Sequence, residues 1–210
     1  MNASSISSLA LIFALGCDPK TGASDSGGAD DSASSQGLTA SDIVGRWSSP
    51  GCEAYDDGQG GHNYLTRTFE LTETSWHLDL VVFGDADCSF PLFSGAIDGP
   101  YVLGDASASV AEATEGTFSY TSIQFTAHTA DLAAAFTGAG CGAEAWEVDV
   151  PQEVSGTGCI GVAHDIDECP AEYDLVGLVG GQLYFGERVT DMCTVEGRPA
   201  ALGPYGLDPV

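Results

Sequence analysis

Basic residues are nearly missing from this 210-residue chain, in which five Lys and Arg stand against 31 Asp and Glu for a net charge of −26. Nucleic acid and anionic membrane surfaces are thereby excluded as natural partners, because both repel such a chain. Also lacking are a phosphate-cradling glycine loop, a Gly-x-Ser-x-Gly elbow, a His-Glu-x-x-His helix and any Cys-x-x-Cys pair, so no nucleotide, hydrolase or zinc motif is present. The histidines His62, His77, His128 and His164 are scattered, with no ligand-like neighbour at short spacing. A protein that is not an enzyme and uses no cofactor or metal is the expectation. The acidic clusters at 85–88 (DADC) and 165–168 (DIDE) lack the glycine and distal glutamate of an EF-hand loop, which leaves calcium there as the lesser alternative to plain solubility.

No apolar run is long enough for a membrane helix; the stretch from Ile6 to Leu15 has only the length of a signal-peptide core. Ala14-Leu15-Gly16-Cys17 follows it and resembles the lipobox of bacterial lipoproteins, whose cysteine is acylated, although no Lys or Arg precedes the run. Residues 1–16 are therefore expected to be a lipoprotein signal peptide, with Cys17 the lipidated residue. Residues 17–40 continue as a disordered acidic Ser/Gly linker with almost nothing to bury. By random-coil scaling, roughly 23 such residues hold the folded part on the order of 25 Å from its anchor. Residues 41–210 then suit one domain, placed in the cell envelope outside the cytoplasm and held to a membrane by lipid.

Without Cys17, six cysteines remain, an even number in an exported chain. The segment at 172–188, EYDLVGLVGGQLYFGER, reads as a hairpin turning at Gly180-Gly181, with Val179 facing Gln182. Cys169 and Cys193 fall within one residue of its register and would close its open end. A second hairpin is expected at Val150-Pro151, with Trp146 and Val148 before it and Val154 after it, which brings Cys141 opposite Cys159. Cys52 with Cys88 follows by elimination.

Strand patterns recur at 64–71, 76–83, 96–103 and 116–125, and one helix is expected in TADLAAAFTG, capped by Thr129 and ended by Gly138. The fold class is thus all-β, an antiparallel barrel or half-barrel with one short helix and three disulfides. Both faces of the 172–188 hairpin are apolar: Val176, Leu178, Leu183 and Phe185 share one, and Tyr173, Leu175, Val179 and Tyr184 share the other. A sheet with one wet face would alternate, so each face must meet something. On the second face, Gly177 and Gly186 leave room either for a ligand or for chain packed on bare backbone.

An ordered series of residues resembles a known family. Gly45-Arg46-Trp47, Cys52-Glu53, Leu65-Thr66-Arg67, Asp87-Cys88 with Pro91, and Gly99-Pro100-Tyr101 come first. Cys141-Gly142 with Trp146, Gly158-Cys159, Cys169-Pro170 with Glu172-Tyr173, Leu183-Tyr184-Phe185-Gly186, and Arg198-Pro199 follow. The series is similar to the domain of the adenomatosis polyposis coli down-regulated family, the extracellular Wnt antagonists of animals, over about residues 43–205. The resemblance implies a disulfide-bonded β barrel with an apolar cavity for a lipid chain such as a palmitate-type acyl group. Animal members carry two copies and a transmembrane helix, whereas one copy is seen here, so the Wnt role is not carried over. The residues expected to wall such a site are Trp76, Tyr101, Phe118, Tyr120, Trp146 and Tyr184, with Arg67 and Arg188 at the mouth. Arg67 shares a face with Leu65, Phe69 and Leu71, an apolar row where a lone guanidinium is costly, so for it and for Arg188 a bridge to a carboxylate is the default assignment and a grip on a fatty-acid head group the functional one. The alternative function is a surface adhesion or assembly module with a solid core.

Overall fold

The computed structural model describes residues 37–56, 61–159, 162–188 and 191–210. The expected signal peptide, Cys17 and most of the linker lie outside the described residues. Four strands make one wall: β1 (Gly45–Ser48), β2 (Glu53–Asp56), β3 (His62–Leu71) and β4 (Ser75–Phe83). The long β5 (Pro91–Ala106) is followed by β6 (Ala113–Ser119), β7 (Ser122–Ala127), β8 (Pro151–Glu153), β9 (Ala171–Val179), β10 (Gln182–Phe185) and β11 (Asp208–Pro209). Two helices among the described residues, α1 (Ala40–Ile43) and α2 (Ala130–Ala139), accompany the strands, with a 3-10 turn at Val195–Gly197.

The strands pair antiparallel in the order β10-β9-β6-β5-β4-β3-β1-β11. Leu183 and Leu207 then exchange hydrogen bonds of 3.0 and 2.8 Å, which brings the two ends of the sheet together into a nearly closed barrel. Near-closure joins the two end strands of that order, β10 and β11, whose free edges would otherwise invite aggregation. The expected all-β barrel, its helix and its three disulfides, Cys52–Cys88, Cys141–Cys159 and Cys169–Cys193, are all present.

β5 is where the sheet divides. One edge pairs β4 along 91–100, while the other pairs β7 over 93–98 and β6 over 101–106. At the fork, a Cβ on Gly99 would lie 1.7 Å from the Ser119 carbonyl oxygen, so no larger residue fits. Trp76 Nε1 donates to that same oxygen at 3.0 Å. The stretch 116–125, which looked like one strand, is therefore two. Tyr120 N–H turns to the Pro170 carbonyl and Thr121 N–H to the Asp98 carbonyl, and these bonds take the chain from one branch to the other.

Each branch has its own core. The barrel interior holds Trp47, Phe69, Leu71, Trp76, Leu78, Tyr101, Phe118, Val176, Leu183, Phe185 and Leu207. The β7–β8 branch packs Phe93, Ile123, Phe125 and Val154 against Ala133 and Phe136 of α2. Thr129 caps α2 as expected, its hydroxyl accepting from Leu132 N–H at 3.2 Å. The helix ends at Gly140, at φ 72°, two residues beyond Gly138.

The 172–188 hairpin has the expected register, Val179 opposite Gln182 and Phe185 opposite Val176. Its inner face enters the barrel core, and its outer face is covered by the chain's own C-terminal segment. Ideal Cβ atoms on Gly177 and Gly186 would come within 2.7 Å of Leu202 and 2.5 Å of Pro199, so the space those glycines leave belongs to the tail and not to a ligand. Arg198 fastens the tail, donating to the carbonyls of Gly116 and Asp174 at 2.8 and 2.6 Å.

The hairpin expected at Val150-Pro151 does not form. Asp149, at φ 61°, gives its N–H to the Ala127 carbonyl, which sends residues 151–153 along β7 instead of back against Trp146. Trp146 lies under α2, its indole N–H on the Cys141 carbonyl at 2.7 Å. Cys141 and Cys159 still meet, because the end of α2 and the turn after β8 flank that indole.

Gly99→Ala is expected to lower unfolding stability by on the order of 3 kcal/mol or more, since backbone must move. Gly138→Ala, whose Cβ would meet nothing within 4 Å, is expected to raise stability by up to about 1 kcal/mol. Urea titration of both variants measures the contrast.

Candidate functional site

The register places two different closures at the barrel's ends. At the end where β3, β5 and β9 finish, residues 37–43 form a plug. Ile43 is 0% exposed, Leu38 and Ala40 pack on the same barrel cluster, and Trp47 Nε1 donates to the Ile43 carbonyl at 2.8 Å. A further hydrogen bond ties the plug to the barrel, Leu38 N–H to Thr114 Oγ1 at 2.6 Å, while the Asp42 carboxylate accepts from Thr39 N–H at 2.7 Å within the plug itself. Beside it runs an open groove of about 720 Å³ between Leu38–Ala40 and Tyr101–Ala106, with Glu73 on its rim.

The opposite end is polar. Arg67 shares the inward face of β3 with Phe69 and meets Glu53 through two prongs, Nε to Oε2 at 3.0 Å and Nη2 to Oε1 at 3.2 Å. Ser49 and Tyr55 hydroxyls complete the carboxylate at 2.6 and 2.9 Å, so Glu53 is only 1% exposed yet fully partnered. Burial pushes the Tyr55 phenol well above its ordinary range, against the pull of the Arg67 guanidinium. Arg188 pairs with Glu172 and lies 3.9 Å from Asp174. Asp174 is 1% exposed and accepts the N–H groups of Leu175 and Gly186 at 2.7 and 2.9 Å. Burial raises its carboxyl to about 6, with Arg188 and these N–H groups opposing.

Of the expected ligand wall, Trp76, Tyr101, Phe118 and Tyr120 do come together: Phe118 lies edge-on to Trp76 and stacked on Tyr101, and Tyr120 meets Trp76 at 5.7 Å. They are packed on one another and on Phe69 and Phe185, so they fill the interior where a cavity was expected. Trp146 belongs to the other core, under α2. Tyr184 faces outward against Gly206, its hydroxyl on Gln182 Oε1 at 3.0 Å. Both expected mouth arginines are at the polar end, already paired with carboxylates. Indeed every arginine among the described residues is ion-paired, Arg46 with Glu70 and Arg198 with Glu115 included, so none of these four is left unpaired to grip an anionic head group.

The acidic clusters serve local turns: Asp85 accepts the N–H groups of Ser89 and Phe90, and Asp165 accepts that of Asp167. His164, Asp191 and Cys193 lie close enough to share an ion. The Cys193 sulfur is in a disulfide, however, and offers no thiolate.

Residues 37–43 and Glu53 are the site elements that sequence reasoning missed. Thr39 with Asp42, an acidic residue at the third helical position, was a legible start signal. Glu53 stood beside Cys52 in the family series, but no local pattern ties it to Arg67. The family model described as Adenomatosis polyposis coli down-regulated 1 matches residues 29–149. The match takes in the plug, both prongs of the Arg67–Glu53 pair and the fork, and it stops before β9 and β10.

Arg67→Met leaves Glu53 buried and unpaired, and should cost about 3–5 kcal/mol. Adding Glu53→Gln should restore most of it, as read by chemical denaturation. For Asp174 the folded chain holds the proton more tightly than the unfolded one. Its stabilising contribution is full below the ordinary carboxylate range and is lost as pH rises through about 6. Asp174→Asn should therefore flatten the melting-temperature profile between about pH 4 and pH 7.

Proposed function

The chain belongs to the adenomatosis polyposis coli down-regulated family, and from that premise we propose that it is an extracytoplasmic binding module whose barrel takes an apolar or acyl-bearing ligand at its plugged end. Three disulfides favour an oxidising compartment outside the cytoplasm. Attachment to a membrane through an acylated Cys17 belongs to the same proposal. No helix among the described residues is long and apolar enough to cross a bilayer.

The observation that carries the proposal is the plug. The apolar interior is sealed at that end by a four-residue helix and three flanking residues, and not by paired strands. Leu38, Ala40 and Ile43 supply apolar surface that an acyl chain could replace at little loss of contact. Tyr101, Val102 and Leu103 already line the groove through which such a chain would arrive. Because the interior is filled, entry requires the plug to give way, and binding is weakened by that opening cost.

The alternative is an adhesion or assembly module with a solid core. It is favoured by the packed aromatics and by the internal pairing of all described arginines. One titration separates the two. Ile43→Ala should lose about 2–5 kcal/mol of stability in either case. If an acyl chain takes the plug's place, palmitate should raise the melting temperature of wild type and restore part of the loss in the variant, and mass spectrometry of the purified chain should find co-purifying lipid. No shift and no lipid would leave the solid-core module standing. Cys17→Ala should release the chain from membranes.

A further inference from the structure

Three side chains that the barrel does not use meet on the outer surface of the β4–β5–β7 sheet. Ser94 projects outward from β5, because its neighbours Phe93 and Gly95 face inward. His128 follows β7 and is fixed by its N–H on the Leu92 carbonyl at 2.8 Å. Its Nε2 lies 3.0 Å from Ser94 Oγ, and its Nδ1 lies 2.7 Å from Asp149 Oδ1. A carboxylate on Nδ1 holds the proton there, which leaves Nε2 as the acceptor for the serine hydroxyl. Asp149 itself is held in a left-handed backbone conformation, φ 61°, by its N–H bond to the Ala127 carbonyl. Three separate segments thus converge in the connectivity of a nucleophile, its base and the base's orienter.

We propose that Ser94, His128 and Asp149 form an acyl-transfer site for small neutral acyl esters, independent of any ligand in the barrel. Ser94 Oγ attacks the ester carbonyl carbon while its proton passes to His128 Nε2. The carbon–oxygen bond to the leaving alcohol then breaks, and that alcohol carries the proton away. Water repeats the sequence on the acyl-serine, releasing the acid and restoring the hydroxyl.

Backbone N–H groups of β5 are spent on its neighbours, so stabilisation of the oxyanion falls to side chains. Thr126 is the cross-strand partner of Ser94, with Gln124 two residues before it on the same face. Cross-strand partners place their Cβ atoms about 4.5–5.5 Å apart. Neither the Thr126 hydroxyl nor the Gln124 amide has a hydrogen-bond partner among the described residues, so both can turn to an incoming carbonyl. The face is open and the chain strongly acidic, which selects small, uncharged esters over bulky or anionic ones.

The test uses the full-length chain, a fluorophosphonate probe and 4-nitrophenyl acetate. A single phosphonyl adduct on the peptide containing Ser94 is expected, together with ester hydrolysis above the buffer rate. Ser94→Ala should abolish the adduct and lower hydrolysis on the order of 100-fold, and His128→Gln should lower it while leaving the melting temperature in place. An unlabelled Ser94, or a Ser94→Ala chain that hydrolyses the ester at the wild-type rate, would overturn the assignment.

Discussion

The fold depends on the close approach of two backbones at Gly99. Ser119 places its carbonyl oxygen where any side chain at position 99 would have to be, and Trp76 seals the contact with an indole hydrogen bond. This approach lets one long strand serve two sheets at once. Below the fork, β5 pairs β7 and builds the core under α2; beyond it, β5 pairs β6 and carries the sheet round to β10 and β11. Without that crossing the sheet would have either a barrel or a helix-covered layer, and its remaining edge would be bare.

Near-closure creates an interior that must be filled or paid for by a ligand, and here the chain fills it with its own rings. Phe69, Trp76, Tyr101, Phe118 and Phe185 interlock, stacked or edge-on. Charge follows the same economy. A chain of net charge −26 could have left its few cations free to attract anions, yet each described arginine is committed to a carboxylate of its own. Arg67 and Glu53 illustrate why: both are inward-facing, and a charge left without its partner in an apolar row is costly. The plugged end therefore presents apolar surface, with little electrostatic grip.

The span matched by the adenomatosis polyposis coli down-regulated family model, residues 29–149, contains the fork and the plug. The second half of the barrel is closed by β9, β10 and a C-terminal segment that runs back over the hairpin's outer face. Leu202 and Pro199 lie on Gly177 and Gly186 there, so the two apolar faces of that hairpin meet barrel core on one side and tail on the other.

Local patterns in the sequence determined β3 and β4 of the first wall, the Gly180-Gly181 turn and its register, the Thr129 cap of α2, and the pairing of an even set of cysteines into disulfides. Each is written within a few residues: alternation, a turn dipeptide, a cap, a count. Arg67 could be assigned to an acidic partner because a guanidinium in an apolar row needs one, but that the partner is Glu53 depended on β2 pairing with β3. Whether the interior is open or solid, whether Trp146 joins the barrel, and what covers Gly177 were decided only by the tertiary structure. Those outcomes turn on residues far apart in the chain meeting in space, as Ser119 meets Gly99 and Leu202 meets Gly177, and no short-range periodicity encodes such meetings.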